Sequence, residues 1–311
     1  MVSIKLAVVS NIVLDSIRDT EGMVTESLGG PASYCGLTAR RFSFDVSLAT
    51  KIGTDFPPEY KRFLQAEGII LTDHQLSYDR DTTKFRLISN RDDNNNTRSL
   101  FLSSKCAQIT IDDIEKIETD CWLVSPVIDE VPEDVLRAII LHGGRRGFVI
   151  VDPQGYTRIV NSSGEITSIN KSFLNLSGVS AIKADKTELA LLTGGLEGLA
   201  AMQYLQSRTG IKFVISTEYR IIHLLYNRMH YWIHLKDIES PDSTGVGDIL
   251  CSAFCCAYIK ENDPLWAFSF GAGAVRAALE TRKIGLDKIP SKSKIEQSAS
   301  YYYNTISFRR A

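Results

Sequence analysis

A glycine turn ahead of an apolar segment is the part of this 311-residue sequence best suited to chemistry. Gly245, Val246 and Gly247 leave the backbone N–H groups of the turn uncovered, and an apolar helix is predicted at 249–259. The unpaired N–H groups and the positive dipole end of such a helix form an anion site. Asp248 stands at the same helix end, where a carboxylate can take a proton. An anion site beside a base is suited to move a phosphoryl group from a nucleotide to a hydroxyl.

A purely structural interpretation of this turn is also open. Asp248 is of a type that commonly caps helices, and glycines are common in tight turns. The sequence has no GxxxxGK[ST] phosphate loop and no glycine pattern that completes a dinucleotide fingerprint. The prediction of an anion site therefore rests on this turn and not on one of those two phosphate-binding patterns.

Composition indicates an ordinary globular enzyme, with 44% hydrophobic and 23% charged residues. The net charge of −2 argues against a nucleic-acid partner, which needs a clustered basic face. No run approaches the roughly 20 apolar residues that span a bilayer, so we expect no membrane partner. Because Met1 leads directly into an apparent core strand, we also expect no signal peptide. The six cysteines lack framework or metal spacing, which predicts buried free thiols and a cytoplasmic location.

Short apolar runs alternate with helical patterns along most of the chain. Several runs are apolar nearly throughout, as in strands that are covered on both faces. The alternation predicts an α/β fold with right-handed βαβ units and a mostly parallel sheet. The predicted strands are 4–9, 46–52, 121–125, 148–152, 179–183 and 213–216, the helices are 32–42, 58–67, 132–141, 187–192 and 196–209, and a hairpin is formed by 221–226 and 229–235.

Residues 12–28 and 76–103 interrupt this alternation. They are more polar and strand-like, and the second segment contains a turn-rich tip at 92–96. We interpret the two segments as one small β layer, a lid over the site; two unrelated surface hairpins are the alternative. The predicted domains are a core of 1–11, 29–75 and 104–311, and a lid of 12–28 and 76–103.

The sequence resembles the ribokinase-like, or phosphofructokinase B (PfkB), family of carbohydrate kinases over essentially its whole length. Residues 29–34 (GGPASY) and 51–55 (KIGTD) resemble the first family signature, and residues 242–248 (DSTGVGD) resemble the second. The resemblance implies a three-layer α/β/α, mostly parallel sheet with a small β-sheet lid. It also implies an ATP-dependent kinase acting on a hydroxyl of a sugar or cyclic polyol, with the inositol-kinase-like members nearest in pattern.

The resemblance further implies a base with its anion hole, an acceptor site and a nucleotide site. The implied base is Asp248, and its anion hole is formed by Gly245, Val246 and Gly247. The implied acceptor site consists of Asp15, Gly29, Gly30 and Tyr34. The implied nucleotide site consists of Asp185, Glu188, Thr217, Thr244 and Gly271. The implied cofactors are ATP, Mg²⁺ held by Glu188 through water, and a monovalent cation such as K⁺ at Asp242. A second copy of the chain, packed through the lid, is a further candidate partner.

The sequence departs from the family pattern in three places that concern the nucleotide and the phosphoryl group. Asp185 stands where the family has Asn, and Val246 stands where it has Ala. Residues 217–220 (TEYR) replace a glycine-rich stretch.

Simpler interpretations of single residues stay open. Asp15 is also typical of an exposed loop, and Glu188 of a first helical turn, where the dipole favours an acid. Gly29 and Gly30 are also typical of a turn that opens a helix at Pro31.

Three alternative functions accompany the sugar or polyol kinase. A nucleoside kinase of the same family would use Tyr34 or Phe101 to stack a base. A sugar-acid or phosphosugar kinase would bind the substrate anion through the basic lid residues Lys84, Arg86 and Arg98. A non-catalytic ligand sensor on the same scaffold is the third alternative.

Overall fold

The computed structural model describes residues 3–18, 24–92, 95–143, 147–236, 238 and 240–311. The strands are β1 (Lys5–Val9), β2 (Val13–Arg18), β3 (Val24–Gly29), β4 (Asp45–Ala49), β5 (Ile52–Gly53), β6 (Leu76–Ser77), β7 (Thr83–Asp92), β8 (Asn95–Ser104), β9 (Cys121–Val124), β10 (Phe148–Val151), β11 (Arg158–Val160), β12 (Ile166–Ser168), β13 (Ala181–Asp185), β14 (Phe213–Glu218), β15 (Ile221–Tyr226), β16 (Met229–His234) and β17 (Ser307–Arg310). The α-helices are α1 (Gly30–Arg41), α2 (Pro58–Ala66), α3 (Glu133–Gly143), α4 (Lys186–Thr193), α5 (Gly198–Thr209), α6 (Val246–Glu261), α7 (Pro264–Glu280) and α8 (Lys292–Tyr303). Within these described ranges, none of the helices combines the length and apolar character needed to cross a membrane.

The central sheet has nine strands in the order β17-β16-β15-β14-β13-β10-β9-β1-β4. Neighbouring strands from β4 to β14 run parallel, and β15, β16 and β17 add an antiparallel edge. The mostly parallel sheet is therefore confirmed. Because parallel strands end at the same edge, polar residues that follow β1, β10 and β13 are brought to one side of the molecule.

Alternate side chains of β1 enter two different cores. Leu6 and Val8 pack with residues of α1, α6, α7 and α8, whereas Ala7 and Val9 pack with residues of α3, α4 and α5. Successive side chains of a strand point to opposite faces, so both faces of the sheet are covered by helices. The predicted three-layer α/β/α arrangement is confirmed.

A separate four-stranded sheet, named here the lid sheet, has the order β3-β2-β7-β8. Strand β2 pairs antiparallel with β3 and parallel with β7, so Asp15 lies between Ser27 and Phe85. Strand β3 ends at Gly29 and α1 begins at Gly30, without a connecting loop. The two interrupting segments therefore supply one β layer rather than two unrelated hairpins.

Some residues of the predicted lid are not part of the lid sheet. Leu76 and Ser77 form β6, which pairs with β5 instead. Residues 19–23, and Asp93 and Asn94 of the turn-rich tip, lie outside the described residues.

Several predicted strands have different limits in the structure, among them those predicted at 46–52 and 179–183. The strand predicted at 46–52 ends at Ala49, where its pairing with β1 ends, and β5 pairs with β6 instead. The strand predicted at 179–183 is β13, which runs on to Asp185 and leads directly into α4. Residues 183–185 are polar or small, so the apolar pattern did not extend to the end of the strand.

The Sγ atoms of Cys121 and Cys255 are in contact, while their Cα atoms lie 7.5 Å apart, beyond the reach of an unstrained disulfide. Cys121 opens β9, and Cys255 lies on α6, which contacts that strand. The residues are 134 positions apart, so their proximity depends on tertiary packing that no local spacing indicates. The remaining cysteines are free and buried, as predicted: Cys35, Cys106, Cys251 and Cys256.

The close approach of α7 and α8 gives a test of the packing. A Cβ atom at Gly273 would lie 2.7 Å from the Ala299 nitrogen and 3.0 Å from the Ile295 carbonyl oxygen, both on the backbone of α8. We expect Gly273→Ala to lower the free energy of unfolding by about 1–3 kcal/mol, because the helices must separate. In an isolated helix a Gly→Ala change stabilises the helix by about 1 kcal/mol. A loss of stability in Gly273→Ala would therefore indicate the close contact between α7 and α8. Urea unfolding measures it, and a variant as stable as the wild type would contradict this packing.

Candidate functional site

A tight turn precedes α6 and sets the direction of its first backbone amides. Gly245 is the N-cap of α6 and has a φ of 77°, in the left-handed region that favours glycine. A Cβ atom at Gly245 would also lie 2.6 Å from the ring of Tyr34. The amides of Gly247 and Asp248 have no carbonyl partner within the helix, and the Val246 N–H makes only a long, 3.4 Å hydrogen bond to the Ser243 carbonyl oxygen, so these amides form an anion site. Because Gly245 is the N-cap, the interpretation of Asp248 as the cap is wrong.

Lys183 adds a positive charge to the same turn. A Cβ atom at Gly247 would lie 2.8 Å from the Lys183 Nζ, which shows how closely the ammonium approaches the backbone. The Lys183 Nζ donates a 2.8 Å hydrogen bond to the Asp152 carboxylate, and both side chains are buried. Burial opposes the charge on Lys183, but Asp152 and Glu188 outweigh it and raise its pKa. A permanent cation thus lies beside the amides of α6.

Asp248 is buried next to this cation. Its carboxyl group has a pKa raised to about 7, mainly by burial and by Asp152, while Lys183 and Arg158 act in the opposite direction. A base with a pKa near the working pH is ionised in part and still binds a proton well. Asp248 therefore has the protonation behaviour that proton abstraction from a hydroxyl requires.

Asp185 and Glu188 form a reciprocal capping box at the start of α4. The Asp185 carboxylate accepts from the Glu188 N–H at 2.8 Å, and the Glu188 carboxylate accepts from the Asp185 N–H at 2.8 Å. Burial raises the pKa of Glu188 to about 7, Lys183 lowers it, and Asp152 and Asp185 raise it further. The helix-end interpretation of Glu188 is thus correct, and Asp185 in place of the family's Asn acts as the N-cap.

A cavity of about 290 Å³ lies in front of Asp248 and is walled on one side by the lid sheet. The lid sheet contributes the apolar side chains of Phe85, Leu87 and Leu100. The structure brings six of the sequence-predicted site residues to this cavity, namely Asp15, Gly30, Tyr34, Thr244, Gly245 and Asp248.

Asp15 is a buried residue of the lid sheet, so the exposed-loop interpretation is wrong. Burial and Asp242 raise the pKa of Asp15 to about 7, and Lys288 acts in the opposite direction. Gly29 leaves the space that the Asp15 carboxylate occupies, since a Cβ atom at Gly29 would collide with it. Gly30 opens α1 with a φ of 80°. The diglycine therefore opens a helix, as one interpretation proposed, and also makes room for the carboxylate.

Asp242 is paired with a lysine of the chain. The Lys288 Nζ lies 2.5 Å from the Asp242 carboxylate and donates to the backbone carbonyl oxygens of Asp242 and Thr244 at 3.1 and 2.7 Å. Although burial opposes ionisation, hydrogen bonds from Lys288, Thr244 and Gly285 lower the pKa of Asp242. These residues do not fit a bound monovalent cation, because the Lys288 ammonium already lies among the oxygen atoms. The Lys288 ammonium thus lies where the sequence predicted K⁺ at Asp242.

The residues expected on the nucleotide side are not all brought to the turn. Thr217 on β14 is in register with Asp185 on β13, at the edge of the sheet where the site lies. Gly271 instead lies inside α7, where a Cβ atom would be 3.3 Å from the Leu250 carbonyl oxygen of α6. Gly271 thus serves helix packing. The turn after β14 exposes Tyr219 in the left-handed region, at a φ of 52°.

The basic lid residues do not supply the cation that faces the cavity. Lys84 pairs with Asp55 at 2.6 Å, and Arg86 lies over the ring of Phe101. The side chain of Arg98 lies outside the described residues. Arg158, which opens β11, lines the cavity instead.

Sequence reasoning missed Asp152, Lys183, Arg158 and Lys288. Asp152 and Lys183 each ended a predicted apolar strand, and a polar residue at the carboxyl end of a parallel strand is a usable signal for a site. Arg158 and Lys288 carry no comparable local signal, because their positions depend on loops that return from distant elements.

The acidic residues fit a magnesium ion that is shared with phosphate. Among the described residues, no cluster of three or more metal-ligating side chains forms a ready metal centre. Mg²⁺ usually keeps several waters and binds through one or two carboxylates plus substrate phosphates. The mutual repulsion of Glu188, Asp152 and Asp185 beside the anion site is the electrostatic setting that such an ion relieves.

The raised pKa of Asp248 predicts a pH-dependent gain of stability in Asp248→Asn. The unfolded group ionises near its ordinary value of about 4, whereas the folded group ionises at about 7. The folded wild type binds the extra proton between these values and loses stability as the pH rises through them. We expect Asp248→Asn to be more stable than the wild type by about 1–4 kcal/mol near pH 8 (about one unit above the folded pKa), and the difference to shrink toward about pH 4. Urea unfolding at both pH values measures this, and a larger difference at the acidic pH would contradict the raised pKa.

Comparison with known proteins was made on the sequence and on the fold. No protein-family model matches the chain. A cytidine kinase of Thermococcus kodakarensis is 24% identical to it over 260 residues, which are 82% of this chain and 88% of that protein.

Solved structures of kinases share the architecture. A pyrophosphate-dependent kinase of the ribokinase family, complexed with a pyrophosphate analog and myo-inositol, matches with a TM-score of 0.76 at 19% identity, over 94% of this chain and 99% of that one. Ribokinase of Arabidopsis thaliana, complexed with ribose and ATP, matches with a TM-score of 0.71 at 17% identity, over 96% of this chain and 99% of that one. The chain therefore has the fold of the ribokinase-family kinases.

Proposed function

We propose that this protein is a kinase that transfers a phosphoryl group from ATP to a hydroxyl of a sugar or cyclic polyol. The observation that carries the proposal is the position of Asp248 in a cavity whose floor is the N-terminus of α6. A base and an anion site lie there at the start of the same helix, beside the space that an acceptor hydroxyl would fill.

In the proposed reaction, Asp248 takes the proton of the attacking hydroxyl. The transferring group gathers negative charge on its oxygen atoms, and the amides of Val246 and Gly247 with the Lys183 ammonium stabilise that charge. A bound Mg²⁺, held near Glu188 through water, would neutralise phosphate charge of the donor. The lid sheet excludes water, which would otherwise compete with the acceptor as nucleophile.

The lining of the cavity supports a compact cyclic acceptor. Asp15 offers a carboxylate that can accept hydrogen bonds from two neighbouring hydroxyls. Phe85, Leu87 and Leu100 form an apolar wall on the lid side, which suits the C–H face of a ring. Arg158 also lines the cavity and favours a sugar acid or phosphosugar as the next alternative within the same reaction class.

A nucleoside is the second candidate acceptor. The related protein from Thermococcus kodakarensis is a cytidine kinase, and the apolar wall of the lid sheet can pack against a base. Of the two rings proposed from the sequence, Tyr34 lines the cavity and packs against Gly245, whereas Phe101 lies against Arg86.

A substrate screen with a base-deficient variant tests the function. Release of ADP or phosphate is measured with Mg²⁺ over sugars, polyols, sugar acids and nucleosides, with ATP or pyrophosphate as donor. We expect turnover of a sugar or polyol with ATP and a fall in kcat of about 10²–10⁴-fold in Asp248→Asn, the usual contribution of a general base.

The screen includes a control variant and has outcomes that would contradict the proposed function. Glu296→Gln removes an exposed acid on α8 and should retain the wild-type rate. Asp248→Asn with more than about a tenth of the wild-type rate would overturn the role of the base. Ligand binding without any turnover would favour the sensor alternative, and turnover with pyrophosphate alone would overturn ATP as donor.

Asp15 is predicted to select the acceptor. Asp15→Ala leaves hydroxyls of the substrate without an acceptor in a closed site, which typically costs about 1–3 kcal/mol. We expect kcat/KM for the true acceptor to fall by roughly 10- to 1,000-fold, with ATP affinity in the absence of acceptor nearly unchanged. Asp15→Asn keeps the volume and separates the loss of charge from the loss of packing. Weaker binding of ATP alone would place Asp15 on the donor side instead.

A further inference from the structure

A buried ammonium group lies directly behind the anion-binding turn. Lys288 is at the end of the 3-10 helix Gly285–Lys288, and its side chain is 0% exposed. Its Nζ contacts the carboxylate and the carbonyl oxygen of Asp242 and the carbonyl oxygen of Thr244. Carboxylate and carbonyl oxygens are the donors that hard cations prefer, so this is a cation site built into the chain.

The same group fixes the shape of the turn. The Asp242 carboxylate also accepts from the Thr244 N–H at 2.8 Å and from the Gly285 N–H at 2.9 Å. Thr244 immediately precedes Gly245, the N-cap of α6. Lys288 thus holds both ends of the segment that sets the direction of the α6 amides.

Lys288 also faces the acceptor side. Its Nζ lies 5.9 Å from the centre of the Tyr34 ring, which packs against Gly245. Among the charged groups nearby, Asp242 and Asp15 carry the opposite charge. The ammonium therefore neutralises an acidic region that would otherwise repel a phosphoryl group at the turn.

We propose that the Lys288 ammonium takes the place of a dissociable monovalent cation, so that the turn is held in its anion-binding shape without K⁺ or Na⁺. The expected effect of Lys288 on the reaction rate rests on the proposed kinase function, whereas its expected effect on stability rests on the geometry alone. Lys288 acts here as a positioning residue, since it reaches the reacting group through Asp242 and Thr244.

The first test compares salts on the wild type. Rates with KCl, NaCl and tetramethylammonium chloride, at one ionic strength of about 0.1 M, should agree within about twofold, because no ion has to enter the site. A stimulation by K⁺ of more than about fivefold over tetramethylammonium would overturn the proposal.

The second test makes the site depend on an added ion. Lys288→Ala leaves Asp242 as a buried charge without its counter-ion, so the rate in tetramethylammonium should fall by at least about tenfold. Ammonium or K⁺ should restore much of that loss, since each can lie among the vacated oxygen atoms. A folded Lys288→Ala that no cation restores would show that the lysine is only a structural ion pair.

A thermal measurement needs no substrate and so stands if the kinase proposal fails. The Tm of Lys288→Ala should rise with ammonium or K⁺ and not with tetramethylammonium, whereas the wild type should respond equally to all three. Lys292→Ala, which removes an exposed lysine of α8, is the matched control and should behave as the wild type. Lys288→Gln, which keeps length and hydrogen-bond donors, replaces Lys288→Ala if that variant does not fold, and the wild-type salt comparison holds in either case.

Discussion

The buried ion pair between Lys183 and Asp152 is the interaction on which the site depends. It joins Asp152, which follows β10, to the middle of β13 in the centre of the sheet, where each charge alone would be costly. The pair also sets the protonation of its neighbours, because Asp152 raises the pKa values of Asp248 and Glu188 while Lys183 lowers them. Two carboxyl groups that burial would leave neutral are thereby kept close to the point of ionisation at neutral pH.

A second buried pair, Lys288 with Asp242, lies on the other side of the glycine turn. The turn therefore runs between two ammonium groups, with Lys183 at Gly247 and Lys288 at the Thr244 carbonyl oxygen. The turn residues carry no charge of their own, and their geometry is imposed by side chains from the sheet and from a 3-10 helix. In the proposed reaction this arrangement separates two tasks: Lys183 would face the transferring group, and Lys288 would hold the backbone that binds it.

The sequence predicted those parts of the fold and site that local residues determine. Gly245 and Asp248 stand within one turn of each other, so their chemistry is visible in a short pattern, and the strand–helix alternation follows from continuous apolar runs. Asp152 and Lys183 were placed at the ends of two predicted strands. Their pairing could not be predicted, because it depends on the order of the strands in the sheet. Lys288, and the contact of Cys121 with Cys255, depend on packing between distant elements. Gly271 packs against α6 in the structure, and a glycine required for helix packing looks the same in one sequence as a glycine required for nucleotide access.

The late position of Lys288 in the chain has a consequence for synthesis. Domains emerge from the ribosome with their N-terminal part first, and Asp15, Asp152 and Asp242 all precede Lys288 in the sequence. Until residue 288 has emerged, the nascent chain can form most of its parallel sheet but carries Asp242 without its counter-charge. The backbone around Thr244, at the start of α6, therefore lacks the buried ammonium that holds it until residue 288 has emerged.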